Sequence, residues 1–410
     1  MTGRKALFLI AVAVSIAIGI LMYFLGADNT WHIWGVPTLS PFADLRDVLH
    51  GIDAARGASG SSTSPFGLIG GYPAIWAALG VLGINMGSLL WIASAVLGIY
   101  WISLFIFARD YDVRTAVCLS MVVFSPAAML GYERGNLDLL IFSLLALALA
   151  LDSYSRIPAM ALITASAMLK IYPIVGLSYL LKESRNRFIL LAGIGLTIFV
   201  IYAVSIASSI RGIVGYIPRG ALFDYGTEVI GFHVFEAGGS RSLADVVTAS
   251  SFLMLYLLIL VVLYWSYAVP DRAAGDEARF IDSFRLGAAI YIATFIEGNS
   301  FNYRLIFLLF CVPQIVFWAR LNTPIHAGSR ITLAALIASC WGALLLRFMS
   351  TNLAFALDEL ANWTLFAGLL YLFFATLPNW LSKEIRGFFD RHHFGGRKVL
   401  TESSANNAND

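Results

Sequence analysis

Long uninterrupted apolar runs dominate this chain, in place of the two-residue alternation of half-buried strands or the narrow stripe of a soluble amphipathic helix. They lie near residues 5–25, 87–108, 115–131, 137–151, 188–208, 247–268, 331–347 and 359–381. A spanning helix needs roughly 20 residues at 1.5 Å rise, so the shorter runs must borrow flanking residues. Two further segments differ. Residues 157–182 are two apolar arms of about a dozen residues meeting at Lys170-Ile171-Tyr172-Pro173, and residues 286–320 repeat the idea around EGNSFNYR. Each arm is too short to cross alone, so each pair is expected to form a broken hairpin. Irregular backbone at membrane depth is tolerated only where it lines protein or a wet cavity. The pattern therefore predicts an all-α polytopic membrane protein of about 10–12 transmembrane or re-entrant helices over residues 1–385. Residues 386–410, ending in TESSANNAND, read as a disordered tail.

Composition agrees. Of the 410 residues, 59% are hydrophobic and only 13% charged, too little polar surface for a water-soluble domain of this size. The net charge of +2 gives no reason to expect nucleic acid. Cys118, Cys311 and Cys340 all fall inside apolar runs, which argues against a disulfide framework or a zinc site. The first apolar run follows MTGRK but is long and lacks a small-residue cleavage motif, so it reads as a retained first helix.

Most of the 27 Lys and Arg residues fall on one side when the N-terminus is placed in the cytoplasm. Both termini are then cytoplasmic. The outer side receives segments 26–86 and 209–246, together with GYERGNLD (131–138), Lys170 and EGNSFNYR. The unusual polar residues converge there, as if facing an outer chamber.

Several could carry chemistry. Asp44 and Asp47 share a helical face in PFADLRD, and either could be a general base above the membrane or part of a solvated loop helix. Glu133, Arg134, Asn136 and Asp138 crowd one helix junction. Asp138 begins an apolar run, where a carboxylate is costly unless paired or wet. Lys170, at a hairpin apex, either snorkels to the interface or meets an anion such as a phosphate. Arg304 invites the same reading, with Glu297 as its balancing charge; a guanidinium suits bidentate phosphate contact. Outer aromatics (Trp31, Trp34, Tyr216, Tyr225, Phe232) offer faces for sugar rings. No phosphate-binding glycine loop, dinucleotide fingerprint or nucleophile elbow is present, which disfavours a nucleotide-driven enzyme.

The order of these features resembles a known family. An outer loop with an early Asp (PFADLRD) leads to Tyr72-Pro73. RGNLDLLIF follows a later helix, and LKIYP precedes a basic loop, KESRNR. This is similar to the polyprenol-phosphate-sugar-dependent glycosyltransferases of the GT-C superfamily, and within it to glycosyltransferase family 87. The resemblance implies a GT-C-like bundle with outer-side loops forming the active site in a bacterial inner membrane. The implied reaction is inverting transfer of a mannose-like monosaccharide from a polyprenyl phosphate to a lipid or glycan acceptor. It implies Asp44 as base with Asp47 in reserve, Lys170 at the donor phosphate, and Asn136 and Asp138 in the chamber wall. From their own depth and context, Arg304 and Arg134 are expected beside Lys170 at the phosphate, with Glu133, Tyr172 and Glu297 around the substrate. No cofactor is expected; a divalent metal stays open and is not favoured. The alternatives are a flippase or transporter for lipid-linked saccharides, and a polysaccharide polymerase or ligase.

Overall fold

The computed structural model describes residues 2–36, 41–55, 74–207, 220–268, 280–321 and 325–391. The expected Tyr72-Pro73, the Gly/Ser-rich stretch, Tyr216 and residues 392–410 lie outside them.

The chain is a helical bundle. Helix α1 (Gly3–Leu25) leads into α2 (Ala27–Ile33) and α3 (Ala43–Ala55), and a 3₁₀ segment then precedes α4 (Leu89–Phe107). Next come α5 (Val113–Val123), α6 (Pro126–Arg134), α7 (Asp138–Asp152), α8 (Arg156–Leu169), a 3₁₀ segment over Tyr172–Lys182, and α9 (Arg185–Ser205). A two-residue strand β1 (Asp224–Tyr225), α10 (Val229–Glu236) and α11 (Arg241–Ala268) follow. The last third holds α12 (Ile281–Glu297), β2 (Ser300–Phe301), a 3₁₀ segment over Asn302–Phe310, α13 (Val312–Trp318), α14 (Ile325–Trp341), α15 (Thr351–Ala375) and α16 (Asn379–Arg391).

Among the described residues, six helices are long and apolar enough to cross a membrane, or seven if the bent pair α5–α6 counts as one span. The chain is thus a multi-pass membrane protein. The bend of 56° falls at Ser125-Pro126. Ser125 caps α6 through the Ala128 amide, and Pro126 occupies the first turn, where its missing N–H costs nothing. Helices α1, α4, α9 and α11 bury little of their apolar surface in the bundle. That surface meets lipid, which is as apolar as the interior.

Both broken hairpins form. At the end of the bundle that holds Gly3, Arg156 at the start of α8 pairs with Glu183 just after the returning 3₁₀ segment, at 2.8 Å. Lys182 bridges Asp152 and Asp282 there. Segment 156–182 therefore enters and leaves at one end, with Lys170 at its apex. The second hairpin starts at Ile281, earlier than the apolar pattern suggested. It returns to the same end, where Arg320 pairs with Asp112. Its apex is fastened by β1–β2, antiparallel with Asp224 opposite Phe301 and Tyr225 opposite Ser300.

Three boundaries differ from the sequence reading. The last span is 351–375, not 359–381, because Asp358 and Glu359 lie inside it. Glu359 is 5% exposed, so the charged dipeptide marks a buried face of α15 and not a helix end. Helix α14 starts at Ile325 and tightens into a 3₁₀ turn over Gly342–Arg347. The boundary at 386 falls inside α16, whose Trp380 indole donates to the Glu183 carbonyl.

The core is aromatic. Phe142 stacks on Phe310 with centroids 4.6 Å apart, which packs α7 against the second hairpin.

Candidate active site

At the end opposite Gly3, four polypeptide segments meet. The first is α3. Leu45, Val48, Leu49 and Ile52 recur at helical spacing and bury one face against Trp76, Ala93 and Leu137. Phe42 precedes it with a positive φ of 58°, and its amide donates to the Glu133 carbonyl at 2.7 Å. This clamp sets the first turn of α3, and hence Asp44, on the end of α6.

The second segment is the α6–α7 junction. Gly135 ends α6 in the left-handed region, φ 58°, where a side chain would meet the Phe42 ring. Asn136 follows, and its Oδ1 accepts the Asp138 amide at 2.8 Å, so the side chain is locked against the start of α7. Asp138 sits in the first turn of α7, where a carboxylate suits the helix dipole.

The third segment is the apex of the first hairpin. Lys170 ends α8 in an extended conformation, and Tyr172-Pro173 opens the 3₁₀ segment. The fourth is the apex of the second hairpin, with Phe301, Tyr303 and Arg304.

These segments bring most of the expected residues together. Arg134 Nη1 lies 3.0 Å from Asp44 Oδ1. The Asn136 amide donates to the other oxygen of Asp44. Lys170 Nζ donates to Asn136 Oδ1 at 3.1 Å and to Asp138 Oδ1 at 2.5 Å. The Tyr172 hydroxyl donates to the same Asp138 oxygen at 2.6 Å, while Asp138 Oδ2 is buried without a hydrogen bond. Arg304 stacks over the Tyr172 ring at 5.0 Å, Lys170 over Tyr303 at 5.6 Å, and Arg134 over Phe301 at 5.9 Å.

Of the three cations at this junction, Arg304 is the least answered by acid. It donates to Ser300 Oγ at 2.7 Å, and its Nε is buried without a hydrogen bond. Its ion-pair partner Glu297 is 3.9 Å away, with a side chain 57% exposed. Glu297 is therefore a rim residue.

Two other expectations separate here. Asp47 is exposed, whereas the Asp44 side chain is 12% exposed and held by Arg134. Helical spacing placed them together, but only Asp44 faces the junction, each of its oxygens accepting one hydrogen bond. Glu133 is buried beside the cluster and contributes its backbone carbonyl to the Phe42 clamp.

The outer aromatics change role. Tyr225 is 1% exposed and stacks on Tyr291, and the Trp34 indole donates to the Phe124 carbonyl. Both are packing residues.

Sequence reasoning missed Asp224 and Tyr303. Asp224, on β1, is 1% exposed, accepts the Gly220 amide at 3.0 Å with one oxygen and leaves the other without a partner. Burial pushes its carboxyl up to about 8, against the lowering pull of that amide and of Arg304. The signal was faint: one Asp beside a turn glycine in an outer segment. Tyr303 stood within EGNSFNYR but offered no charge.

The arrangement holds two carboxylates, Asp44 and Asp138, three cations and the aromatic rings of Tyr172, Phe301 and Tyr303 at one end of a membrane bundle. It can position a hydroxyl against a carboxylate and hold an anionic leaving group beside cations.

Comparison with known proteins bears on this directly. No curated protein and no solved structure matches the chain. The family model for glycosyltransferase family 87 matches residues 65–290, which include Arg134, Asn136, Asp138, Lys170, Tyr172 and Asp224. Asp44, Glu297 and Arg304 lie beyond its limits. The match takes in more than half of the chain, which therefore belongs to glycosyltransferase family 87, the GT-C type of membrane glycosyltransferase.

Proposed function

We propose that this glycosyltransferase is inverting and polyprenyl-phosphate dependent, and that it moves a mannose-like monosaccharide to a lipid or glycan acceptor. The observation that carries this reading is the linked set Arg134–Asp44–Asn136–Lys170–Asp138, with Arg304 alongside and short of acid. A carboxylate for the acceptor and cations for a phosphate are what a single displacement on a sugar phosphate needs.

The acceptor hydroxyl approaches Asp44. Each Asp44 oxygen accepts one hydrogen bond and keeps a further lone pair for the hydroxyl proton. As Asp44 takes that proton, the acceptor oxygen bonds to the anomeric carbon from the face opposite the phosphate. The bond from that carbon to the phosphate oxygen breaks, and its electron pair leaves on the polyprenyl phosphate. Lys170 and Arg304 answer the growing negative charge, Lys170 as a point charge and Arg304 as a planar fork. Asn136 touches both Asp44 and Lys170, so it sets the distance between base and phosphate. No metal or other cofactor is needed for these steps. In this reading the bundle lies in a bacterial inner membrane with both termini cytoplasmic, and the site opens to the outer face, where donor and acceptor lipids present their headgroups.

The test is transfer in vitro. Purified protein is given synthetic polyprenyl-phosphate monosaccharides and a crude lipid and glycan extract. Transfer by wild type that is lost in Asp44→Asn supports the reading. Wild-type turnover in a folded Asp44→Asn protein ends the base assignment. Tight donor binding without transfer from any donor would favour a transporter.

A further inference from the structure

A groove lies at the opposite end from the active site, against the lipid-facing sides of α1 and α4. It has a volume of about 860 Å³. Its floor is apolar: Phe8 and Phe105 rings sit 5.9 Å apart, and Phe8 and Ile106 are 54% and 58% exposed. Its mouth holds Arg4, Lys5 and Arg109, all exposed.

Backbone contacts build this mouth. The Gly3 amide donates to the Tyr111 carbonyl at 2.9 Å, and a Cβ on Gly3 would collide with the carbonyls of Tyr111 and Asp112. The start of α1 is thus pressed onto the turn after α4, which holds Arg4 and Lys5 beside Arg109. Among the described residues no carboxylate lines the groove, and the nearby Asp112 is committed to Arg320.

The layout has a direction. The cations stand where α1 begins and α4 has ended, at the edge of the apolar zone. The apolar side chains lie one to two turns deeper along the same two helices. A phospholipid has the same order, an anionic head at the interface and acyl chains below it.

We infer that this groove is a binding site for one anionic phospholipid, its phosphate among Arg4, Lys5 and Arg109 and an acyl chain against Phe8, Phe105 and Ile106. Juxtamembrane cations attract anionic lipid individually. Three of them at the mouth of one apolar groove hold it in place. The site is independent of the transfer chemistry.

Native mass spectrometry of the full chain tests it, with phosphatidylglycerol and phosphatidylcholine of matched acyl chains. Wild type is expected to retain one phosphatidylglycerol with a preference of about tenfold over phosphatidylcholine. Arg4→Gln/Lys5→Gln/Arg109→Gln should lower that preference to about twofold or less. Removing N-terminal cations also weakens the insertion signal, so a second variant keeps every charge: Ile102→Trp/Ile106→Trp fills the groove and should lose the retained lipid. A control, Arg185→Gln/Arg187→Gln/Arg330→Gln, removes equal charge at the same end outside the groove and should keep it. The inference is overturned by equal retention of the two lipids. It is also overturned if the control loses the preference as the groove variants do, or if inorganic phosphate or a polyprenyl phosphate displaces the phosphatidylglycerol.

Discussion

The ammonium of Lys170 stands 2.5 Å from Oδ1 of Asp138, although 32 residues separate them and they belong to different arms of the fold. Asp138 starts α7 and Lys170 ends α8, so the pair closes the far end of that helix hairpin. The Asp138 side chain is 1% exposed and that of Lys170 11%. Removing one partner of such a buried pair typically costs about 3–5 kcal/mol, because the other charge is stranded. Lys170→Met and Asp138→Asn should each lower the melting temperature in detergent by several degrees. Lys170→Met/Asp138→Asn should lose less than the sum of the two, and strict additivity would show the pair to be uncoupled.

Asp44→Asn keeps the shape that Arg134 and Asn136 surround but removes the base. Transfer should fall about 10²–10⁴-fold, while the melting temperature drops only modestly, because the new amide nitrogen faces one of the two donors that Asp44 accepted. Arg304→Gln should lower the rate about 10²-fold, through the leaving phosphate, with the acceptor KM unchanged. Steady-state transfer assays that vary donor and acceptor separately distinguish the two effects.

Gly135→Ala forces a Cβ into a left-handed residue, at a cost of roughly 1–2 kcal/mol, with the new carbon 3.0 Å from the Phe42 ring. Because Phe42 sets Asp44 and Gly135 sets Asn136, activity should suffer more than stability. Equal losses in a transfer assay and a melting curve would contradict this.

Asp224 gives the protein a pH dependence. Burial raises its carboxyl from the ordinary range near 3.9 to about 8. The folded state therefore holds a proton that the unfolded chain releases. This contribution to stability is complete below about pH 4 and is lost as pH rises through 8. Melting temperature should decline over that window in wild type, and the decline should flatten in Asp224→Asn.

Glu359 has both carboxylate oxygens buried without a hydrogen bond inside α15. Glu359→Gln removes the need to hold a carboxyl group there, so the melting temperature should stay level or rise. A large drop would mean that the acid is required.

How much was legible varied by residue. Lys170 announced itself, since a lone cation at the apex of an apolar hairpin needs an anion. Arg134, Asn136 and Asp138 were equally visible in a short polar stretch between apolar runs. Asp44 and Asp47 were not separable, because spacing by three residues shares a helix face without saying what that face meets. The last span, expected near 359–381, begins at Thr351 because Asp358 and Glu359 interrupt its apolar pattern, and only packing against α14 reveals that Glu359 sits on a buried face.

The sequence by itself determined the membrane class, the broken hairpins and most of the polar residues that meet at one end of the bundle. Those follow from hydropathy, helix length and the cost of charge in lipid, all of which act locally along the chain. The tertiary structure decided the pairings: Asp44 with Arg134 and Asn136, Lys170 with Asp138, and Asp224 opposite Phe301. These join segments 32 to 92 residues apart, or two separate loops, through short hydrogen bonds. Their geometry depends on how helices pack, which no local pattern encodes.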